Sequence, residues 1–160
     1  MDVSRPHLQI TDAPFDAAEA LRAFEHRLSH ESGAVVSFTG RVRSEAGNTE
    51  ALELETYKGF IETHVMEMAQ AAQSRHGLSA VAIIHRIGRI EVGETIVFVA
   101  TAAPHRRAAF EGADQIMDFL KSRAPFWKKS YTEGEARWIT PRDTDYVDAQ
   151  RWDVGAPAQS

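Results

Sequence analysis

The chain of 160 residues contains no cysteine. This absence excludes disulfide bonds, thiolate metal sites and cysteine nucleophiles. It also means that the chain cannot itself carry a persulfide or a thioester. If the protein performs sulfur or acyl chemistry, the reactive sulfur must therefore arrive on another molecule.

Basic residues are in the minority, with 18 Lys and Arg against 23 Asp and Glu and a formal net charge of -5. That balance argues against a broad nucleic-acid-binding face, which needs an excess of positive charge. No apolar run approaches the roughly 20 residues that a membrane helix needs. Residues 1–6 lack an apolar signal core, so a cytoplasmic location is expected.

Familiar cofactor and metal motifs are absent as well. The 7 histidines are scattered, without HExxH or a similar ligand spacing. The sequence contains neither a GxxxxGK[ST] phosphate loop nor a dinucleotide fingerprint. We therefore expect no metal site and no resident cofactor.

The order of the predicted elements indicates an α+β fold rather than a doubly wound sheet, because strands, helices and hairpins are mixed along the chain. Residues 1–153 are expected to form one domain, and residues 154–160 a disordered tail. Helical periodicity predicts helices over about 16–29, 61–76 and 105–122. Apolar runs and alternation predict strands over about 8–10, 33–43, 51–57, 80–88, 94–102, 126–131 and 135–140.

The most informative segment is 119–129, which places four cations and no carboxylate in eleven residues. Such a reversal of charge in an acidic chain indicates a place where an anion binds, and the interleaved apolar residues would hold the cations in position. The alternative is a helix end whose lysines complement the helix dipole. If 126–131 is a strand, Lys128 and Lys129 face opposite sides, so only one of them enters the site.

Two further groups of cations are candidates for anion binding. Arg41 and Arg43 share one side of a predicted strand end and can form a fork for phosphate, the alternative being two solvent-facing arginines. His105 and Arg106 lie at the predicted N-terminus of the long helix, where free amides favour anions; the alternative is a capping histidine with exposed arginines. Lys121 lies roughly 24 Å further along that helix, so one small molecule cannot touch both ends within one subunit unless the helix is shorter or bent, or the site is elongated. A substrate together with an extended peptide, or a dimer interface, would reconcile the two ends.

Three other residues are interpreted as structural. Trp127 is expected to be a core anchor. His85 lies in an apolar predicted strand, where a structural histidine beside an exposed Arg86 is the expected arrangement.

Taken together, four segments resemble the large, catalytic subunit of molybdopterin synthase. They occur in the order and spacing of that family across about residues 33–138. The last segment, with its Leu-Lys-x-x-Ala-Pro-x-Trp-Lys pattern, is the most specific. The segments are Phe38-Thr39-Gly40-Arg41-Val42-Arg43, His85-Arg86-Ile87-Gly88, His105-Arg106 with Ala109-Phe110-Glu111, and the run from Asp118 to Lys129.

The resemblance implies an α/β hammerhead-type fold with an additional small β-hairpin subdomain, and a homodimer within a heterotetramer. It implies a small ubiquitin-like partner whose C-terminal Gly-Gly ends in a thiocarboxylate and supplies the sulfur. The substrate would be cyclic pyranopterin monophosphate, and the product the dithiolene molybdopterin, in molybdenum cofactor biosynthesis. Two sulfurs are needed, so two partner molecules would be used in turn.

By the same resemblance, Lys121 and Lys128 are the catalytic candidates. The family often has Glu where this chain has Ser130. A backbone contact to the substrate survives that change, but a carboxylate role does not. Arg142 is a further candidate, as a residue that reaches across a dimer interface. The residues implied to bind the substrate are Arg41, Val42, Arg43, His105, Arg106, Lys121, Lys128, Lys129 and Ser130.

Two other functions fit the same cations. One is a non-catalytic anion-binding module for nucleotides or RNA ends, which does not require a Gly-Gly-tailed partner. The other is a scaffold whose lysines bind an acidic protein surface. Substitution of Lys121 separates them from the enzyme, which should lose turnover with its fold intact.

Overall fold

The computed structural model describes residues 5–153, apart from the side chain of Lys58. The predicted disordered tail, residues 154–160, lies outside the described residues. None of the helices in the described part of the chain is long and apolar enough to cross a membrane. In chain order the elements are β1 (His7–Thr11), α1 (Ala17–Glu25), β2 (Ala34–Arg41), β3 (Thr49–Glu55), α2 (Lys58–His76), β4 (Ala80–Arg86), β5 (Gly88–Glu91), β6 (Thr95–Ala103), α3 (Arg106–Ser122), β7 (Trp127–Thr132), β8 (Glu135–Ile139) and α4 (Asp143–Gln150).

The first sheet has the strand order β1-β4-β6-β2 and is covered on both faces. Val81 and Ile83 of β4 pack in a core with residues of α2 and α3. The alternate residues of β4, including Ala82 and Ile84, pack with Phe24 of α1. Because both faces are covered, β4 is apolar along most of its length and wholly buried.

The second sheet has the strand order β5-β3-β7-β8 and is antiparallel throughout. This sheet corresponds to the small β-hairpin subdomain that the resemblance implied, and it includes the predicted hairpin β7-β8. Beneath it lies a small core of Val42, Leu54 and Ile90. Ile96 and Phe126 pack against this core and against the larger one, so the two sheets are joined by shared side chains.

The structure confirms the α+β class and most of the predicted elements. Asp16 caps α1 by accepting the amide of Ala18 at 2.8 Å, and Gly77, with φ 64°, ends α2 as expected. The prediction of one strand over 80–88 was wrong. The strand ends at Arg86, and Gly88, with φ 78°, turns the chain into the second sheet as β5.

α4 is absent from the predicted elements, and contacts with α3 hold it in place. Asp118 of α3 accepts hydrogen bonds from Arg151 at 2.7 Å and from the indole of Trp152 at 2.6 Å. Arg123 pairs with Asp153 at 2.6 Å. The short helix has little apolar periodicity of its own, so these polar contacts, made at its C-terminal end, fix its place.

We predict that Asp118→Ala loosens α4 and leaves the rest of the fold intact. The substitution removes the acceptor shared by Arg151 and Trp152, so the free energy of unfolding should fall by about 2 kcal/mol. Amide exchange should become faster in residues 143–153 and stay slow in β4. Urea denaturation and hydrogen-exchange mass spectrometry measure the two effects.

Asp114→Ala is the matched control. Asp114 also pairs with Arg151, at 2.8 Å, but its side chain is 52% exposed whereas that of Asp118 is 13% exposed. An exposed pair contributes little, so this loss should cost less than about 1 kcal/mol. Equal effects of the two substitutions would contradict the role given to Asp118.

Candidate active site

A pocket of about 260 Å³ lies where β2, β3 and the β7-β8 hairpin meet the end of α3 and the start of α4. Two carboxylates line it, Glu45 and Asp145. Cations outnumber them, so the pocket attracts anions. Its cationic side chains are those of Arg41, Arg43, Lys121, Lys128 and Arg142.

Arg41 is held at the pocket by the turn before β6. Its Nε and Nη2 atoms donate to the carbonyl of Gly93 at 3.0 and 2.9 Å. Gly93 has φ 90°, which favours glycine, and Gly40 is packed so closely on Val97 that a side chain there would clash. The fixed guanidinium keeps further N–H groups free to bind an anion.

Lys128 is the most buried cation of the pocket. It lies on β7 between Leu54 of β3 and Ile139 of β8. Burial, with a further contribution from the charge of Lys121, lowers the pKa of Lys128 to about 8, while Asp145 acts in the opposite direction. A lysine with this pKa exchanges protons near neutral pH, which an ordinary lysine does not.

Asp145 balances part of this positive charge. It accepts from the Arg142 side chain at 3.0 Å and from the Arg142 amide at 3.0 Å. Burial opposes its ionisation, but the hydrogen bonds and charge of Arg142, and the charge of Lys121, lower its pKa overall. The carboxylate is therefore ionised, and it orients Arg142 at the edge of the pocket.

The structure brings together five of the residues that the sequence indicated: Arg41, Arg43, Lys121, Lys128 and Ser130. The side chain of Val42 lies instead in the small core of the second sheet. Its backbone joins the site to the turn before β6, because its amide donates to Glu94 and its carbonyl accepts from Gly93. Val42 thus positions Arg41 and Arg43 on either side of it.

Lys129 lies on the opposite face of the second sheet from Lys128, as the strand alternation predicts. Its ammonium group pairs with Glu55 at 2.8 Å and lies 4.4 Å from the ring centre of Trp138. The hydrogen bond with Glu55 raises the pKa of Lys129. Within one subunit this lysine does not reach the pocket.

His105 and Arg106 are exposed at the N-terminus of α3, while Lys121 lies in its last turn. The helix has 17 residues, so the two groups are separated by roughly 24 Å, as expected. His105 makes no side-chain cap hydrogen bond. A single subunit therefore does not bring His105 and Arg106 to the pocket.

Two structural interpretations of the sequence were wrong. Trp127 is 47% exposed and packs edge-on against Tyr57, so it is not a core anchor. Arg86 is buried, and its guanidinium pairs with Glu94 at 2.9 Å. A guanidinium can be buried when a carboxylate compensates its charge.

Sequence reasoning missed Asp145 and did not assign Arg142 to this pocket. Both come from the start of α4, where Asp145 accepts the Arg142 amide in a capping box. The pattern Pro141-Arg142-Asp143-Thr144-Asp145 contains the acidic first turn that marks such a helix start, and it was the available signal.

The excess of cations over carboxylates suits the pocket to anionic ligands, and Lys128 can exchange a proton there. Its cations come from β2, β7, the segment that leads from β2 to β3, the end of α3 and the residue that caps α4. Within residues 5–153 no group of three or more His, Asp or Glu side chains is arranged to hold a metal ion. The fold and the pocket define an α+β protein with a cationic pocket suited to small anionic ligands.

Comparison with known proteins identifies the family. The MoaE protein family matches residues 10–123. The chain is 52% identical over 147 residues to the molybdopterin synthase catalytic subunit of Caulobacter vibrioides, covering 92% of this chain and 97% of that protein. It is similar to the solved MoaE protein of Burkholderia ambifaria, with a TM-score of 0.78 and 38% identity over 93% of this chain and 99% of that one.

A third comparison concerns the fold alone. A Helicobacter pylori chain from a protein–protein complex of subunits 1 and 2 of molybdopterin-converting factor matches with a TM-score of 0.73 and 24% identity, covering 84% of this chain and 91% of that one. From the family match and the Caulobacter relative, the chain belongs to the MoaE family, the family of molybdopterin synthase catalytic subunits.

We predict that Lys128→Met changes how stability depends on pH. The folded protein holds the Lys128 pKa near 8, below the usual 10.5, so the unfolded chain binds more protons between these values. The contribution of Lys128 to the free energy of unfolding should therefore rise by about 3 kcal/mol as pH rises from about 8 to 10.5. Urea denaturation at several pH values should show the advantage of the methionine variant shrinking over that interval.

Lys129→Met is the matched control, because the pKa of Lys129 is raised rather than lowered. Its stabilising contribution is present below the unfolded pKa and is lost only as pH rises through the folded value. The difference in the free energy of unfolding between this variant and the native chain should therefore stay constant from pH 7 to about 10. If the corresponding difference for Lys128→Met is equally constant, Lys128 does not have the lowered pKa assigned to it.

Proposed function

We propose that the chain is the catalytic subunit of a molybdopterin synthase and is a sulfurtransferase. It would convert cyclic pyranopterin monophosphate to molybdopterin with sulfur from the C-terminal thiocarboxylate of a small ubiquitin-like carrier. The single observation that carries the proposal is the convergence of five cations in one pocket of a chain without cysteine. The cations suit two anionic reactants, and the sulfur must come from outside.

The two reactants divide the pocket between them. A phosphate is best held by guanidinium groups, which bind its oxygens in pairs, so Arg41 and Arg43 suit the pterin phosphate. A thiocarboxylate carries one negative charge, and the two lysines suit it. Arg43 now pairs with Glu45 at 3.0 Å, with both side chains well exposed. Such a pair is weak, so a bound phosphate can replace the carboxylate.

Lys121 and Lys128 would then act on the transfer itself. The thiocarboxylate sulfur would form a carbon–sulfur bond to the pterin as a carbon–oxygen bond there breaks, and water would then cleave the sulfur from the carrier, which leaves as a carboxylate. A nearby ammonium group stabilises the negative charge that develops on the departing oxygen. Lys128, whose pKa burial lowers to about 8, suits proton exchange with the intermediate. Two sulfurs are required, so a spent carrier must leave and a second one must bind.

A homodimer would complete the site, and the edge strand β2 supports one. On one side β2 pairs with β6, and on the other it has no strand partner among residues 5–153. Its side chains Val35 and Phe38 are 37% and 41% exposed. An exposed apolar edge is a template for pairing with another chain.

Antiparallel pairing of two β2 strands about a two-fold axis would bring the distant cations together. β2 begins with Ala34 beside Ala103, two residues before His105, and it ends with Arg41 in the pocket. In an antiparallel pair the start of one strand lies near the end of the other. The second copy would therefore present its own His105 and Arg106 near this pocket. A homodimer with one carrier at each site is the heterotetramer that the family resemblance implies. A cytoplasmic location for this assembly is a prediction from the sequence.

A reconstituted assay tests the reaction. Purified chain is mixed with cyclic pyranopterin monophosphate and a thiocarboxylated carrier, and molybdopterin is quantified. Lys121→Ala and Lys128→Ala should each lower turnover by roughly 100-fold or more, because each removes a charge next to the reacting atoms. Arg22→Ala, which removes an exposed cation from α1, should retain native turnover.

Carrier binding is measured alongside, by titration calorimetry. A scaffold would lose affinity for the carrier in the lysine variants and would form no product in any arm. Absence of product from the native chain with an active, matched carrier would contradict the enzyme and leave an anion-binding module. Lysine variants that are folded and as fast as the native chain would contradict the roles given to them.

Mixed dimers test whether the second copy completes the site. Lys121→Ala and Arg106→Ala chains should each be nearly inactive alone. After dissociation and random re-association, half of the dimers contain one chain of each kind, and one of their two sites is intact. Activity should therefore return to about a quarter of the native value. If Arg106 acted within its own subunit, or not at all, mixing would restore nothing beyond the average of the two variants.

A further inference from the structure

His85 is a buried histidine next to the cation pocket that the reaction above does not use. It lies on β4, and its ring stacks on that of Phe126 with centres 4.2 Å apart and planes 19° apart. Its Nδ1 atom lies 2.7 Å from the backbone carbonyl of Arg86. A carbonyl only accepts, so Nδ1 carries the proton of the neutral ring.

Phe126 connects this ring to Lys128. It precedes β7 directly, and it packs against the cores of both sheets. Leu54, which lies in the small core with it, is the cross-strand neighbour of Lys128. The stacked rings therefore lie at the junction of the two sheets, where β7 enters the site.

Both catalytic candidates act electrostatically on His85. Burial lowers the pKa of His85 to about 4, the carbonyl of Arg86 opposes this, and the charges of Lys128 and Lys121 lower it further. The ring is therefore neutral near pH 7. The uncharged ring stacked on Phe126 therefore adds no third positive charge near the two lysines.

We propose that His85 is a positioning residue, whose neutral ring stacked on Phe126 excludes water from beneath Lys128 and thereby keeps this ammonium group poorly solvated. The consequence for catalysis rests on the proposed sulfur transfer, since only there does Lys128 exchange a proton. The effect on Lys128 itself does not depend on that reaction. The charged groups that act on Lys128 are Lys121 of α3 and Asp145 of α4, with Arg41, Arg43, Glu45 and Arg142 also lining the pocket.

The experiment titrates Lys128 in two complementary variants. His85→Asn keeps a donor for the Arg86 carbonyl but loses the stacked ring and leaves room for water. His85→Phe keeps an aromatic ring on Phe126 but loses the donor. The side-chain signal of Lys128 is followed by NMR in protein labelled with ¹³C-lysine, and Lys128→Arg assigns it. The pKa of Lys128 should rise by roughly one unit in His85→Asn and stay at its native value in His85→Phe.

His76→Asn is the matched control. His76 is also a little-exposed histidine with an aromatic neighbour, since its side chain is 7% exposed and its ring lies 5.5 Å from that of Trp152. It lies at the end of α2 and bonds to Gln115 at 2.6 Å. Its loss should lower stability and leave the pKa of Lys128 unchanged. A second polar variant, His85→Gln, is used if His85→Asn does not fold.

The outcomes separate the proposals. An unchanged Lys128 pKa in a folded His85→Asn or His85→Gln protein would overturn the positioning role, as would an equal rise in His85→Phe. With the synthase assay in place, the polar variant should move the alkaline limb of the turnover profile with the Lys128 pKa. If the native chain makes no molybdopterin, the proposed function fails, while the titration still decides the role of His85.

Discussion

Repulsion between like charges is the constraint on which the rest of this structure depends. Two unit charges of the same sign about 5 Å apart repel by about 3 kcal/mol at an effective dielectric constant of 20. The pocket holds five cations, and one of them, Lys128, is largely buried. The fold tolerates this because each cation comes from a different part of the fold, and because Asp145 and the carbonyl of Gly93 serve as internal acceptors for Arg142 and Arg41. A bound anion would relieve the repulsion that remains.

The junction between the two sheets determines what Lys128 can do. Were the second sheet a separate subdomain, its lysine would face water and keep an ordinary pKa. Instead Phe126 and Ile96 belong to both cores, and β7 starts at this shared layer. The alternation along β7 then sends Lys128 inward and Lys129 outward, where Glu55 pairs with it. A shift of β7 by one residue would therefore exchange the two lysines, so that Lys129 faced the pocket and Lys128 the surface.

Much of the fold and part of the candidate site could be predicted from the sequence, because local chemistry determines them. The alternation rule separates Lys128 from Lys129, and the charge reversal at 119–129 indicates the pocket. Gly77 ends α2 where glycine at a helix end predicts. What escaped prediction depends on distant partners. Arg86 is buried because Glu94 neutralises it, and α4 is held by Asp118 of another helix. Trp127 is exposed because it shares the outward face of β7 with Lys129.

The length of α3 is the physical reason for proposing a homodimer. Its 17 residues separate the cations at its two ends by more than a small substrate can span. β2 runs between the same two regions, from the start of α3 to the pocket, and it lies at the edge of the first sheet. In the proposed homodimer, a two-fold axis through that edge would exchange the two ends. The strand that separates His105 from Arg41 within a subunit would then bring them together between subunits, so the proposed enzyme would be active only as a dimer.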